Sequence, residues 1–127
     1  RKRAELSVFK GREAKLNRAI FHILAIKGPL TIYEVWKDMR RLKNLKHTKY
    51  TNVNRRVRDL ERLGYLEKAG VRKTQAGFQT ILYQLSARAY LALLLNRISL
   101  DDFIQEADET SILNIVAAFA SATVPFA

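Results

Sequence analysis

The sequence predicts a mainly α domain of α+β type, with one small β-hairpin set after three helices and further helices closing the chain. Three observations carry that expectation. Apolar residues recur three and four apart in separate stretches before Gly64, two β-rich stretches with glycines between them follow, and residues 89–95 are apolar without interruption. A length of 127 residues suits one compact unit, and an apolar content of 48% is ordinary for a folded chain.

The first helix is expected over residues 15–27, where Leu16, Ile20, Ile23 and Leu24 fall on one face. Gly28-Pro29 ends it, because Gly suits a helix terminus and Pro cannot continue the turn. Leu30 and Thr31 form a short extended link. Thr31-Ile32-Tyr33-Glu34 then reads as a capping box, in which the Thr hydroxyl accepts from the Glu34 amide and the Glu34 carboxylate accepts from the Thr31 amide. Leu30 and Val35 are placed to form the accompanying hydrophobic staple. The second helix, running to Arg41 or Leu42, is expected to bury Ile32, Val35, Trp36 and Met39.

Residues 42–49 are basic and without period, which reads as a loop. A third helix begins between Thr48 and Thr51 and ends near Leu63, before Gly64. Val53, Val57 and Leu60 make its inner stripe; Thr51, Arg55, Arg58 and Arg62 lie opposite, with Asn52 and Asn54 on the shoulders. Residues 65–68 and 79–85 read as two strands, the second placing Ile81, Tyr83 and Leu85 on one face. Residues 69–78 between them form a hairpin loop with cations at its tip. Ser86 is placed to cap a fourth helix, with Leu85 and Tyr90 as a staple. Ser99 and Asp102 mark another helix start, and residues 110–119 form a last apolar segment. The chain thus divides into a basic N-terminal arm (1–14), a central domain (15–86) and a helical C-terminal region (87–127).

Charge assigns a partner class. Lys and Arg number 23 against 12 Asp and Glu, a formal net charge of +11, which favours an anionic partner, nucleic acid or an anionic membrane surface. All 23 cations and seven of the acids lie in residues 1–97, giving that part +16 and the remainder −5. Residues 37–58 hold nine cations against Asp38 alone. The absence of cysteine excludes disulfides, thiol catalysis and thiolate metal sites, and two histidines, His22 and His47, are too few for most metal centres. His22 lies opposite the buried stripe of its helix, as a solvated surface group. No Ser-His-Asp arrangement and no phosphate-cradling glycine loop occurs, so neither catalysis nor a cofactor is expected. Acids near the last helix starts fit the helix dipole better than a metal or acid/base site.

Helix, short strand, helix, helix, hairpin is the order of a winged helix-turn-helix domain, in which the third helix enters the major groove of DNA. On that layout Thr51, Asn52, Asn54, Arg55 and Arg58 are the candidate base readers. Arg40, Arg41, Lys43, Lys46, Lys49, Tyr50, Arg62 and the wing cations Arg72 and Lys73 are the candidate phosphate contacts. Residues 23–95 resemble winged helix-turn-helix transcriptional regulators of the PadR-like and MarR-like groups. The stretch Gly28-Pro29-Leu30-Thr31-Ile32-Tyr33-Glu34 is similar to the PadR-like opening of the second helix. Val53-Asn54-Arg55-Arg56-Val57-Arg58-Asp59-Leu60-Glu61-Arg62-Leu63-Gly64-Tyr65-Leu66 is similar to the recognition helix and first wing strand of both groups. Tyr83-Gln84-Leu85-Ser86 resembles the close of the wing. The resemblance implies a DNA contact for Arg55. The chain departs from the PadR-like pattern at Asn54-Arg55, where that group usually carries Tyr-Pro, and in Ser86-Ala87-Arg88-Ala89, where a glycine is common.

The expected function is that of a sequence-specific regulator of transcription acting on double-stranded DNA, with the third helix (about 50–63) in the major groove and the wing (about 69–79) on the backbone. Tyr90, Leu91, Leu94, Leu95, Ile112, Ile115, Val116 and Phe119 are the candidate homodimer contacts; an intramolecular helical cap is the alternative. Residues 110–127 form an uncharged run near the lower limit for a membrane span, but Asn114, Pro125 and acidic flanks argue against one. With no leader pattern at the start, a cytoplasmic, nucleoid-associated location is expected. The rival readings are a winged-helix protein-interaction module in a larger transcription or replication assembly, and a membrane-tethered regulator.

Overall fold

A computed structural model describes residues 6–97 and 100–123. After a 3-10 turn at Ser7–Phe9 come α1 (Ala14–Lys27), α2 (Ile32–Met39), α3 (Tyr50–Arg62), β1 (Leu66–Lys73), β2 (Gln79–Leu85), α4 (Ala87–Arg97), α5 (Leu100–Glu106) and α6 (Glu109–Thr123). These are the expected elements of an α+β chain, with β1 and β2 paired antiparallel. The chain divides into two compact units, Arg1–Leu94 and Leu95–Ala127, with α4 running across the division.

Inner stripes of the first three helices make the core. Ile20, Ile23 and Leu24 of α1 and Ile32, Val35 and Met39 of α2 are buried, and Val53, Val57 and Leu60 of α3 have no exposed surface at all. The hairpin adds Leu66, Tyr83 and Leu85. Burial, together with the Glu61 carboxylate, pushes the Tyr83 phenol above its ordinary value, so the ring stays neutral in the core. The extended link exchanges two backbone bonds with β2, from the Leu30 amide to the Tyr83 carbonyl (3.0 Å) and from the Tyr83 amide to the Leu30 carbonyl (2.8 Å). That bridge seats the wing against the start of α2.

Local chemistry accounts for the helix ends. The capping box forms as expected: Thr31 Oγ1 accepts from the Glu34 amide at 3.2 Å, and Glu34 Oε1 accepts from the Thr31 amide at 2.9 Å. At the far end of α3 the Tyr65 amide reaches the Leu60 carbonyl (2.9 Å) and the Gly64 amide the Glu61 carbonyl (3.0 Å), a Schellman closure. Gly64 adopts φ +89°, which favours glycine, and a Cβ there would lie 2.5 Å from the Arg88 guanidinium, the movable end of an exposed side chain. Ser86 Oγ donates to the Gly64 carbonyl (2.6 Å) and accepts from the Ala89 amide (3.3 Å), capping α4 while fastening it to the end of α3.

Several expectations need correction. Part of the segment expected as a basic arm is core: Val8 and Phe9 are buried, with the Phe9 ring edge-on to Phe21 at 5.5 Å. The apolar residues there are too few to show a period, so the composition of the arm hid them. Trp36 is only half-buried, because its indole N–H turns outward to the Thr48 carbonyl at 2.9 Å. Tyr90, expected to pack over Leu85, is exposed. The first strand extends to Lys73, well into the expected loop. A β-bulge between Lys68 and Gly70, with Gly70 at φ +142°, breaks the two-residue alternation that sequence reading relies on.

In the second unit, acids stand at helix starts as expected. Asp101 and Asp102 lie in the first turn of α5, and Asp108 Oδ1 accepts from the Ser111 amide at 2.7 Å at the start of α6. The Ser111 amide holds the Asp108 carboxyl below its ordinary value. The expected helix start at Ser99 and the residues Arg1-Lys2-Arg3 lie outside the described residues, as does the end of the uncharged run. No helix among the described residues is long and apolar enough to cross a membrane.

Candidate nucleic-acid interface

The third helix sorts its side chains by face. With Val53, Val57 and Leu60 fixed inward, the helical period leaves Thr51, Arg55 and Arg58 exposed. Asn52 and Asn54 sit half-buried beside them. Each accepts from the arginine one turn on, Asn52 Oδ1 from Arg55 Nη2 at 3.1 Å and Asn54 Oδ1 from Arg58 Nε at 2.8 Å. The two pairs limit guanidinium motion while most of the N–H donors of each remain available. All five candidate base readers therefore share one surface.

Not every cation of α3 belongs to that surface. Arg56 is only 12% exposed. Its Nε donates to Asn17 Oδ1 (3.1 Å) and its Nη1 to Asp59 Oδ2 (3.0 Å), with Glu13 at 3.7 Å. Asn17 is itself buried in α1 and donates to the Val8 carbonyl at 2.9 Å. Arg62, a candidate phosphate contact, is paired with Asp59. The Asp59 carboxylate thus bridges one inward and one outward arginine.

The turn between α2 and α3 is more ordered than its composition implied. Leu42 and Leu45 pack against the core, and backbone bonds close it from Met39 to Thr48. Arg40 stacks over Trp36 (4.9 Å to the ring centre) and donates to the Lys46 carbonyl at 3.3 Å, so this candidate phosphate contact also braces the turn. Trp36 stands edge-on to Tyr50 at 5.8 Å and tilted against Tyr33 at 5.6 Å. Sequence reading missed this three-ring shelf as a unit, although the Tyr33 and Trp36 spacing places both on one helix side. Arg41 lies 3.7 Å from Asp38, while Lys43, Lys46 and Lys49 are exposed. Lys49 precedes α3 and provides no side-chain cap.

The expected wing cations separate. Arg72 lies within β1 and reaches back to Glu34 Oε2 at 2.5 Å, while Lys73 ends the strand, exposed. The loop tip beyond them, Thr74 to Phe78, carries no charge. Glu34 consequently serves two elements, one oxygen capping α2 and the other holding the wing. Partial burial works to raise its carboxyl, but the Thr31 amide and the Arg72 guanidinium outweigh that and hold it below the ordinary value of 4.5. A depressed folded-state value means the stabilisation is complete above the ordinary range and is lost as pH falls through the depressed value. Glu34→Gln keeps a capping acceptor but loses the charge. Its thermal midpoint is expected below that of the wild type at neutral pH, with the gap closing as pH drops below about 4.5. A gap constant over that range would remove the ion pair from the account.

Among the described residues no cluster of three or more metal-ligating side chains occurs. His22 is exposed, as expected, and so is His47.

No protein-family model and no curated protein matches the sequence. Solved structures do resemble the fold. Diamide-treated YodB from B. subtilis aligns with a TM-score of 0.53, covering 81% of this chain and 88% of that one at 16% identity. TA0346 from Thermoplasma acidophilum, named as a candidate transcriptional regulator, aligns with a TM-score of 0.50, covering 76% of this chain and all of its own length at 18% identity. At such identities the likeness establishes a shared fold. The chain is a winged helix-turn-helix core followed by C-terminal helices.

Proposed function

We propose that the protein is a sequence-specific regulator of transcription that binds double-stranded DNA, with α3 in the major groove and the hairpin as the wing. The observation that carries this reading is the division of α3: three wholly buried apolar residues on one side, and on the other a polar face of exposed Thr51, Arg55 and Arg58 flanked by half-buried Asn52 and Asn54. Asparagine and arginine present the donor and acceptor geometry that reads adenine and guanine edges in the major groove. Lys43, Lys46, Lys49, Tyr50 and Lys73 are exposed and grip the flanking backbone; Arg40, Arg41, Arg62 and Arg72 contribute charge from positions already engaged within the protein. Such a protein works on the nucleoid, in the cytoplasm.

The protein acts as a homodimer. Tyr90, Leu91 and Leu94 of α4 and Ile115, Val116 and Phe119 of α6 are exposed large apolar groups, Val116 at 57% and Phe119 at 66%, while Leu95 and Ile112 are half-buried. Covering these faces with a second copy relieves exposed apolar surface and pairs two reading helices. Selection by the full chain from a random duplex pool is the test. It should return an inverted repeat with half-sites about 34 Å apart, one turn of the duplex. Recovery of no preferred sequence would favour a protein-interaction module instead.

The two contact classes separate by salt. Lys43→Ala and Lys46→Ala should each weaken binding to all duplexes alike and reduce the salt slope by about 1. An unchanged slope would take those lysines off the phosphate path.

A further inference from the structure

The wing tip carries a feature that phosphate contact does not use. Phe78 is 72% exposed, the most exposed of the large apolar side chains described. Its backbone is nonetheless clamped: the Thr74 amide donates to the Phe78 carbonyl at 2.7 Å, and the Phe78 amide donates to Thr74 Oγ1 at 3.1 Å. The Gly77 amide adds a bond to the Thr74 carbonyl at 3.0 Å. Behind the loop, Arg72 is tied to Glu34 at 2.5 Å, which fastens the outer part of β1 to α2. A benzyl group held out on a closed loop, on an anchored hairpin, is a presented group rather than a stray one.

We propose that Phe78 is an apolar wedge that enters the minor groove next to the major-groove site of α3 and partly unstacks a base step there. The inference rests on the DNA-binding reading above and assigns the wing a contact of its own. Three considerations select the occupant. Lys73 stands exposed just before the tip, Arg72 behind it is already paired with Glu34, and between Leu66 and Phe78 the only acid is Glu67, so the approach carries net positive charge and suits a polyanion. The eight residues of β1 span about 23 Å at the usual rise per residue. A major groove is about 12 Å wide, so a hairpin of that length rooted at the end of α3 is long enough to span to the neighbouring minor groove. Phenylalanine is among the side chains that proteins insert between base steps from that groove, where the apolar ring replaces lost stacking. Lys73, immediately before the tip loop, is placed to meet the phosphates at the groove edge.

The test uses the full chain and a duplex enriched by it from a random pool, with 2-aminopurine replacing adenine at steps flanking each half-site. Wild-type binding should raise the 2-aminopurine fluorescence at one flanking step, since unstacking relieves its quenching. Phe78→Ala should bind roughly tenfold more weakly with no such rise and with an unchanged salt slope, because no charge is removed. Phe78→Leu should restore much of both. Circular dichroism of Phe78→Ala checks that the fold is intact, as its exposure leads one to expect. Equal affinity and an equal fluorescence rise in Phe78→Ala would overturn the wedge while leaving DNA binding in place. Weaker binding without any rise in the wild type would also overturn it, leaving a surface contact. Loss of self-association in Phe78→Ala without DNA would make a second copy the occupant and refute the proposal. Failure of the wild type to bind any duplex would sink the wedge together with the DNA-binding reading itself.

Discussion

Leu60→Ala is expected to remove about a third of the stability of the folded chain. Leu60 has no exposed surface and lies where α3 meets the rest of the core, so truncation loses the transfer free energy of its methyl groups and leaves a cavity. Such changes cost about 2–5 kcal/mol, against total stabilities of about 5–15 kcal/mol for ordinary domains. Leu63, three residues on and 55% exposed, is the internal control. Leu63→Ala should stay within about 0.5 kcal/mol of the wild type. Denaturant unfolding of both variants measures the difference, and similar midpoints would mean that α3 is rotated from the orientation described.

The second large effect separates neighbouring arginines. Arg55→Ala and Arg58→Ala should each reduce preference for the selected site by about 1–3 kcal/mol, with stability nearly unchanged, because both side chains are exposed. Arg56→Ala should do the reverse. It leaves the buried Asn17 carbonyl without its donor and Asp59 without its inward partner, a loss of about 1–3 kcal/mol in stability. Binding titrations against selected and scrambled duplexes, beside thermal unfolding, give both quantities. A destabilised Arg55→Ala with an unaffected Arg56→Ala would exchange the two faces and remove the basis for the proposed site.

These adjacent residues show which information was local. The capping box at Thr31 and Glu34 lies within four consecutive residues, and the valine stripe of α3 within a few turns, so spacing alone was enough for both. The outward face of Arg55 and Arg58 followed from the same period. What spacing did not contain is the partner across space. Arg56 is inward because of Asn17, which is remote in sequence, and Arg72, though still exposed, is engaged by Glu34 on another element. Both arginines look, in the sequence alone, like any other member of a basic run. The long first strand was hidden by the bulge after Lys68, which shifts alternation by one residue. Val8 and Phe9 were hidden by brevity, since a single turn has no period to read.

The bond from Asn17 to the Val8 carbonyl has a mechanical consequence. Asn17 touches the turn before α1 with its amide nitrogen and α3 with its amide oxygen, so one planar group joins the beginning of the described chain to the helix that faces outward. A rigid amide cannot shift one end without moving the other. The turn at residues 7–9 is thereby linked through one side chain to Arg56 of α3, a route from that turn to the helix that passes through none of its exposed arginines.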